Sequence, residues 1–315
     1  MTAYVLLCDF TFGSYIRLAL AEAGRRPEPP ALRACADRTE FDAQVMGFLA
    51  DHGHPRLVGA ALSTRGWETH GVLHLPDEGM HLTRDNIRGL LGIQRLHIVN
   101  NFVARALAVP RLRPEELTQV CGGAAQDEQV KVVLGPHHGL GLAGLLPDGS
   151  GGWVAMPGEG GHSDLCWTHE RERAVIEVLR GGGAHTSREA ALSLNGLAAV
   201  WAALGWIDGV GGDDLDVERV IGRARAGEPR AAEAVRLCLG WLAAMASDAA
   251  LIMGARGGIY LTGALLERLG DLFDAEAFTA RYRDKGRLSG YVAEIPVFRA
   301  EAADMEMIGL ATLFE

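Results

Sequence analysis

Along this chain, short apolar runs of strand length alternate with longer stretches in which apolar residues recur at helical spacing, separated by glycine and small residues. That alternation predicts an α/β fold rather than an all-α or all-β one. Tyr4–Cys8 reads as a strand that turns at Thr11–Ser14 into Ile16–Leu20. Leu57–Ser63, Gly71–Leu75, His97–Val99, Val130–Leu134 and Trp153–Met156 read as further strands, and Gly258–Gly263 as a buried strand closing in a turn. Helices are expected over Thr83–Gly92 with Thr83 as N-cap, and over Phe102–Val109 up to Pro110. Others are expected over Glu170–Leu179, Arg188–Leu204 (weak at Gly196), Val217–Ala226 and Pro229–Gly254. Gly135–Gly141, Asp148–Gly152 and Gly209–Asp214 read as glycine-rich loops or turns. Two related lobes fit this pattern.

Composition narrows the class. The 315 residues allow one large or two ordinary domains, and 48% hydrophobic content suffices for a packed core. A net charge of −10 argues against nucleic-acid or anionic-membrane partners, which need a basic face. The five cysteines are scattered, with neither disulfide nor zinc spacing, so a reduced, cytoplasmic protein is expected. Asp248 interrupts the longest apolar stretch, around Leu237–Met253, which reads as a buried Ala-rich helix rather than a membrane span.

Several short segments have chemical content. Gly158-Glu159-Gly160-Gly161-His162 places a carboxylate and an imidazole among glycines that let backbone approach a ligand, although a polar surface turn has the same composition. Glu189 is either a further hydroxyl contact or, with Thr186 as N-cap, half of a capping box; the local pattern favours the cap. Asp9, at the end of an apolar strand, is either a turn residue or a carboxylate that holds hydrated Mg²⁺. His52-Gly53-His54 and His137-His138 lack a spaced third metal ligand and read as solvated loops.

Taken in order, Ile98-Val99-Asn100-Asn101-Phe102, Ala108-Val109-Pro110, Gly139-Leu140-Gly141, Pro157 to Asp164, Gly257 to Gly263, Asp284 to Arg287 and Ile295-Pro296-Val297 resemble the bacterial glucokinase family, within the hexokinase and actin-like ATPase superfamily. The resemblance runs essentially end to end. It implies a two-domain ribonuclease H-like fold with an interdomain cleft, the small domain from 1–108 with 299–315 and the large one from 109–298. It also implies transfer of the ATP γ-phosphoryl group to the 6-hydroxyl of glucose, ATP and Mg²⁺ as cofactors, and a homodimer. Glu159, His162, Glu189, Asn100 and Asn101 then match sugar contacts. Asp9, Gly13, Ser14, His138, Gly139 and Gly263 match the phosphate- and nucleotide-holding positions, with Asp9 reaching Mg²⁺ through water.

The chain departs from the family pattern at telling places. Asn101 stands where the family has the aspartate that takes the proton from the sugar hydroxyl, and an amide cannot take it. The first phosphate loop reads Asp9-Phe10-Thr11-Phe12-Gly13-Ser14 instead of Asp-x-Gly-Gly-Thr-Asn, and the second has His137-His138-Gly139 instead of Gly-Thr-Gly. Gly263 is followed by Ala264 rather than glycine, Ser193-Leu194-Asn195-Gly196 replaces Ser-Gly-Pro-Gly, and Asp304-Met305-Glu306 replaces Asn-Pro-Gly. Sugar-contacting types survive while nucleotide and proton-transfer positions change. Three readings stay open: a hexose-binding protein with weak or no kinase activity, acting as sensor, regulator or partner subunit of another protein; a working glucokinase; or a kinase for another sugar or phosphoryl donor, with His137-His138 contacting that donor.

Overall fold

The computed structural model describes residues 3–10, 14–65, 67–69, 72–75, 80–212 and 214–315. The chain forms two compact units, Met1–Arg113 with Ala302–Glu315, and Pro114–Glu301.

The first unit is built on strands β1 (Tyr4–Phe10), β2 (Tyr15–Glu22), β3 (Ala31–Ala34) and β4 (Leu57–Thr64). It adds a small antiparallel sheet of β5 (Trp67–Thr69), β6 (Val72–Leu75) and β7 (Met80–Thr83), and then β8 (Leu96–Asn100). The main sheet runs β3-β2-β1-β4-β8: an antiparallel β1–β2–β3 meander, with β4 and β8 added parallel to β1. Both faces of this sheet are covered, which explains the unbroken apolar run at Val5–Leu7. On one face Leu6, Cys8, Phe10, Ile16 and Leu18 pack with Phe41, Val45 and Phe48 of helix α1 (Arg38–Asp51). On the other, Val5, Leu7, Ala19 and Ala61 meet Met307, Leu310 and Phe314 of the C-terminal segment.

Helix α2 (Arg84–Leu91) starts as expected at Thr83, whose side chain accepts from the Asn86 amide, and it stops at left-handed Gly92. Helix α3 (Asn101–Ala108) passes into a 3-10 turn, Val109–Arg111, that accommodates Pro110. It lies so close to the C-terminal helix, Met305–Thr312, that a Cβ on Gly309 would sit 1.7 Å from the Ala104 carbonyl oxygen.

The second unit repeats the plan. Strands β9 (Leu117–Cys121), β10 (Lys131–Pro136), β11 (Leu140–Pro147), β12 (Trp153–Gly158), β13 (Ile259–Leu261) and β14 (Val297–Ala300) order as β12-β11-β10-β13-β14-β9. Again a three-strand meander (β10–β11–β12) is followed by two parallel strands, and β9 closes the edge antiparallel. Helices α4 (Glu170–Arg180), α5 (Leu194–Ile207), α6 (Val217–Arg225) and α7 (Pro229–Met253) fill the span between β12 and β13. Helices α8 (Ala264–Leu269), α9 (Ala275–Arg283) and α10 (Ser289–Ala293) follow.

Helix α7 is long and apolar enough to cross a membrane by length and composition, but 67% of its apolar window is buried in this unit. Trp241, Leu242 and Met245 place it in the core. It is a core helix.

Three local expectations need correction. Gly135–Gly141 is not a loop: its ends belong to β10 and β11, and only residues 137–139 turn between them. The helix expected from Arg188 begins at Leu194, where the Ser193 side chain caps it, after a separate 3-10 turn at Arg188–Ala190. Glu189 is not half of a capping box, because Ser187 rather than Thr186 caps that turn by accepting from the Ala190 amide.

Candidate functional site

In parallel sheets of this kind, ligands gather outside the carboxyl ends of the strands. In each unit by itself, sequence-picked residues lie at these ends. Asp9 is near the end of β1, Asn100 ends β8, and residues 137–139 and Gly263 follow β10 and β13.

In the first unit, Asn100 serves as N-cap of α3, its side-chain oxygen accepting from the Phe102 amide at 2.8 Å. Asn101 is buried, 6% exposed, and its side-chain oxygen faces the same amide at 3.1 Å. Four residues on, one turn along the same face, stands Arg105. Its guanidinium stacks over the Phe102 ring and binds Glu306 Oε1 at 2.7 Å.

Glu306 is also bound by Arg17, whose Nη2 lies 2.8 Å from Glu306 Oε2. Arg17 and Asp9 are register partners across the β1–β2 hairpin. The Arg17 Nε and Nη2 groups donate to Asp9 Oδ2 at 2.9 and 2.7 Å, and Ser63 Oγ donates to Asp9 Oδ1 at 2.5 Å. Asp9, Arg17, Arg105 and Glu306 are all buried. Burial disfavours a charged Glu306, yet Arg105 and Arg17 pull its pKa down to about 2. For Arg17, burial works against the charge, but Asp9 and Glu306 raise its pKa above the ordinary guanidinium value. A chain of ion pairs, Asp9–Arg17–Glu306–Arg105, with Asp304 at 3.6 Å from Arg17, therefore links β1, β2, α3 and the C-terminal helix.

Ser14 is exposed, and its carbonyl accepts from the Cys35 amide. Gly13, Phe12 and Thr11 lie outside the described residues. The Phe10 ring is in the core, 5.5 Å from that of Phe41.

In the second unit, Glu159, Gly160–His162 (a 3-10 turn) and Glu189 converge on the β10–β11 hairpin. The Glu189 carboxylate accepts from the Leu140 amide at 2.8 Å, and a Cβ on Gly139 would meet that carboxylate at 2.5 Å. Gly139 is thus small because Glu189 occupies its side-chain space. Gly161 is small for a similar reason, since a Cβ there would sit 2.1 Å from the Leu140 carbonyl. The Arg188 amide donates to the Ser163 carbonyl at 2.9 Å, aligning the segment that bears His162 with the one that bears Glu189. Arg188 itself reaches Asp248 at 2.8 Å, and Lys285 Nζ binds the other Asp248 oxygen at 2.5 Å. Burial raises the Asp248 pKa, but these two cations outweigh it and hold the carboxyl below its usual range. The one charge within the apolar α7 stretch therefore anchors the segment that presents Glu189. Glu159 and His162 are exposed, and Glu189 is half-buried.

His137 is buried and His138 exposed, their rings 4.8 Å apart, and the His138 amide donates to His137 Nδ1. Gly263 has φ +114°, and a Cβ there would approach the Pro136 carbonyl oxygen to 2.4 Å. Its glycine is required by the neighbouring β10 turn.

The glucokinase family model matches residues 12–315. The chain belongs to the glucokinase family. A glucokinase-like protein of Caulobacter vibrioides is 36% identical over 302 residues, covering 96% of this chain and 94% of that one. A glucokinase of Pseudomonas paraeruginosa is 35% identical over 94% of this chain and 88% of its own length. Among solved structures, a glucokinase from an Antarctic psychrotroph superposes with TM-score 0.89 at 25% identity, covering 99% of this chain and 98% of that one. The fold is the glucokinase and actin-like ATPase fold.

This glucokinase-family chain does not offer a hydrated Mg²⁺ the donor set that the family implies at Asp9. That carboxylate already has a buried guanidinium and a hydroxyl on it, and among the described residues no group of three or more His, Cys, Asp or Glu side chains is arranged to hold a metal. Sequence reasoning had singled out neither Arg17 nor Arg105, and met Glu306 only within the Asp304-Met305-Glu306 departure from the family pattern. The signal was present, since Arg17 and Glu306 are lone charges in otherwise apolar segments, Ile16–Leu20 and Met305–Leu310.

Proposed function

We propose that this chain is a hexose-binding member of the glucokinase family whose phosphoryl transfer from ATP to the sugar 6-hydroxyl is weak or lost. The observation that carries the reading is the Arg17 guanidinium seated on Asp9 and held there by Glu306. A fixed cation neutralises Asp9 and removes the charge that would attract a hydrated metal and its phosphates. Phosphoryl transfer relies mainly on positioning and charge stabilisation, so this loss matters as much as a missing base. Asn101 adds the second deficit: its amide hydrogen-bonds to a hydroxyl but cannot take the proton, a role that contributes roughly 10²–10⁴-fold.

On the sugar side, Glu159 and His162 are exposed on a glycine-bordered turn, and Glu189 is oriented by the Leu140 amide. A carboxylate accepts from paired hydroxyls, and an imidazole donates or accepts. Asn100 and Asn101 are the corresponding sugar contacts in the first unit by family resemblance. Two structural neighbours, the glucokinases of Balamuthia mandrillaris and Streptomyces griseus, were crystallised with glucose, the latter also with AMPPNP.

Working ATP-dependent glucokinase activity is the second reading, favoured by relatives that carry the glucokinase name at 34–35% identity. A coupled assay with glucose and ATP, run beside calorimetry with glucose, separates the two. Hexose binding with turnover at least about a thousandfold below an ordinary kcat of about 10 s⁻¹ supports the first reading. Turnover in the ordinary range establishes the second.

A further inference from the structure

Arg188 and Glu189 are chain neighbours that serve different partners. Glu189 Oε2 accepts from the Leu140 amide, while Oε1 accepts no hydrogen bond among the described residues and stays available to a ligand hydroxyl. The Arg188 side chain is 13% exposed, and Asp248 Oδ2, at 2.8 Å on helix α7, is its one hydrogen-bond acceptor among the described residues. Its Nε is buried with no partner, so no second hydrogen bond fixes the guanidinium. The backbone completes the attachment: the Arg188 amide donates to the Ser163 carbonyl, and Ser187 bridges to Asp164. The turns that bear His162 and Glu189 are therefore joined to each other and, through one side chain, to a core helix. Asp248 has a second cation on its other oxygen. Lys285 Nζ lies 2.5 Å from Oδ1. Lys285 belongs to the turn between α9 and α10, where its amide donates to Ser289 Oγ at 3.3 Å and its carbonyl accepts from the Leu288 amide at 3.0 Å.

We propose that Asp248 is a positioning residue that sets the hexose affinity of this unit, holding the His162 and Glu189 turns through Arg188 and tying them to the α9–α10 turn through Lys285. The effect on sugar rests on the hexose reading of Glu159, His162 and Glu189; the effect on the two turns does not. What the arrangement controls is direction. With Oε2 taken by a backbone amide, the direction of Glu189 Oε1 depends on the backbone of residues 188–190, and that backbone is anchored at Arg188. Helix α7 supplies the fixed point, because Trp241, Leu242 and Met245 bury it in the core, whereas the turn at Arg188–Ala190 is a short 3-10 piece. Each Asp248 oxygen has its own cation, so the carboxylate cannot rotate towards one without leaving the other. A part-exposed ion pair adds little to stability by itself. Keeping ligand contacts in register is a use in which displacements of about 0.5 Å matter.

The test is calorimetric titration of the full chain with glucose, for wild type, Asp248→Asn, Arg188→Met, the double variant and Lys285→Met. Beside it, hydrogen exchange followed by mass spectrometry reads the peptides that contain Leu140, His162 to Leu165 and Thr186 to Glu189, without sugar. D248N and R188M should each weaken glucose binding about tenfold, and the double variant no further, because both act along one path. K285M, which leaves the Arg188 arm in place, should weaken it by a smaller step of about threefold. Exchange in the three peptides should quicken in D248N and R188M, while peptides of α7 stay protected. A lower Tm in D248N with unchanged glucose affinity and unchanged exchange is the result of a merely structural pair and overturns the proposal. Additive losses in the double variant overturn it too, since Asp248 would then not act through Arg188. If D248N does not fold, R188M and K285M carry the same comparison, because each removes one of its two cations. If wild type gives no heat with glucose, the hexose reading fails and exchange alone decides: quickened exchange keeps Asp248 as the anchor of the two turns, and unaltered exchange removes it.

Discussion

Arg17 and Glu306, 289 positions apart in the chain, meet at 2.8 Å in the buried interior of one unit. Arg17 brings Asp9 with it and Glu306 brings Arg105, so the two ends of the chain and the helix that begins at Asn101 share one charge network. In the reading proposed above, positions that match the family's phosphate-holding and proton-transfer residues have become part of this structural network.

Breaking this network from its centre should be costly. Glu306→Ala leaves Arg17 and Arg105 buried with one counter-charge fewer, a change of the kind that costs about 3–5 kcal/mol. Urea unfolding followed by circular dichroism should register that loss. A loss below about 1 kcal/mol, the size of a surface pair, would show that water reaches the cluster.

The same carboxylate sets an acid limit. The folded pKa of Glu306 is depressed from 4.5 to about 2, so its contribution is fully present above the unfolded value and is lost as pH falls through the window between the two. Unfolding free energy measured from pH 6 to pH 2 should therefore fall more steeply for wild type than for Glu306→Gln, which lacks the titrating group. Parallel curves would contradict the buried pairing.

Asn101→Asp alone should restore little turnover. The new carboxylate would stand one helical turn from Arg105, and Asp9 would remain neutralised by Arg17. An increase in kcat of less than about tenfold in the coupled assay is expected, against the roughly 10²–10⁴-fold that a base contributes in an otherwise intact site. A full rescue would show that the phosphate side works as it stands.

Gly139→Ala probes the sugar side. Its Cβ would meet the Glu189 carboxylate at 2.5 Å, pushing it off the Leu140 amide without touching Glu159 or His162. Glucose affinity should fall by about tenfold, or ~1.4 kcal/mol, with Tm nearly unchanged because the displaced group is the end of a flexible side chain. An unaltered Kd would remove Glu189 from the set of contacts.

Much of this architecture was legible in the residues. The Thr83 cap and Gly92 stop, the strand ending at Asn100 and the long Ala-rich α7 follow local rules that tertiary context left intact. What escaped were features defined by distant partners. Gly135–Gly141 reads as a loop because glycines are turn formers, yet Gly135 is there because a Cβ would sit 1.8 Å from the carbonyl oxygen of Thr262, just past the end of β13. Glu189 reads as a cap because Thr186 precedes it, but its carboxylate binds an amide 49 positions away. The network around Arg17 was visible only as isolated charges in apolar runs. Register across the β1–β2 hairpin pairs Asp9 with Arg17, whereas nothing local points Arg17 to Glu306.

The central proposal, hexose binding retained while the chain's own Arg17 guanidinium occupies Asp9, is tested most directly by one calorimetric experiment: wild-type chain titrated with glucose, then with AMPPNP and Mg²⁺. The account predicts saturable heat from glucose and none from the nucleotide up to about 1 mM, a Kd weaker than −4 kcal/mol of binding. Saturable nucleotide binding in the micromolar range, or silence with glucose, would contradict it.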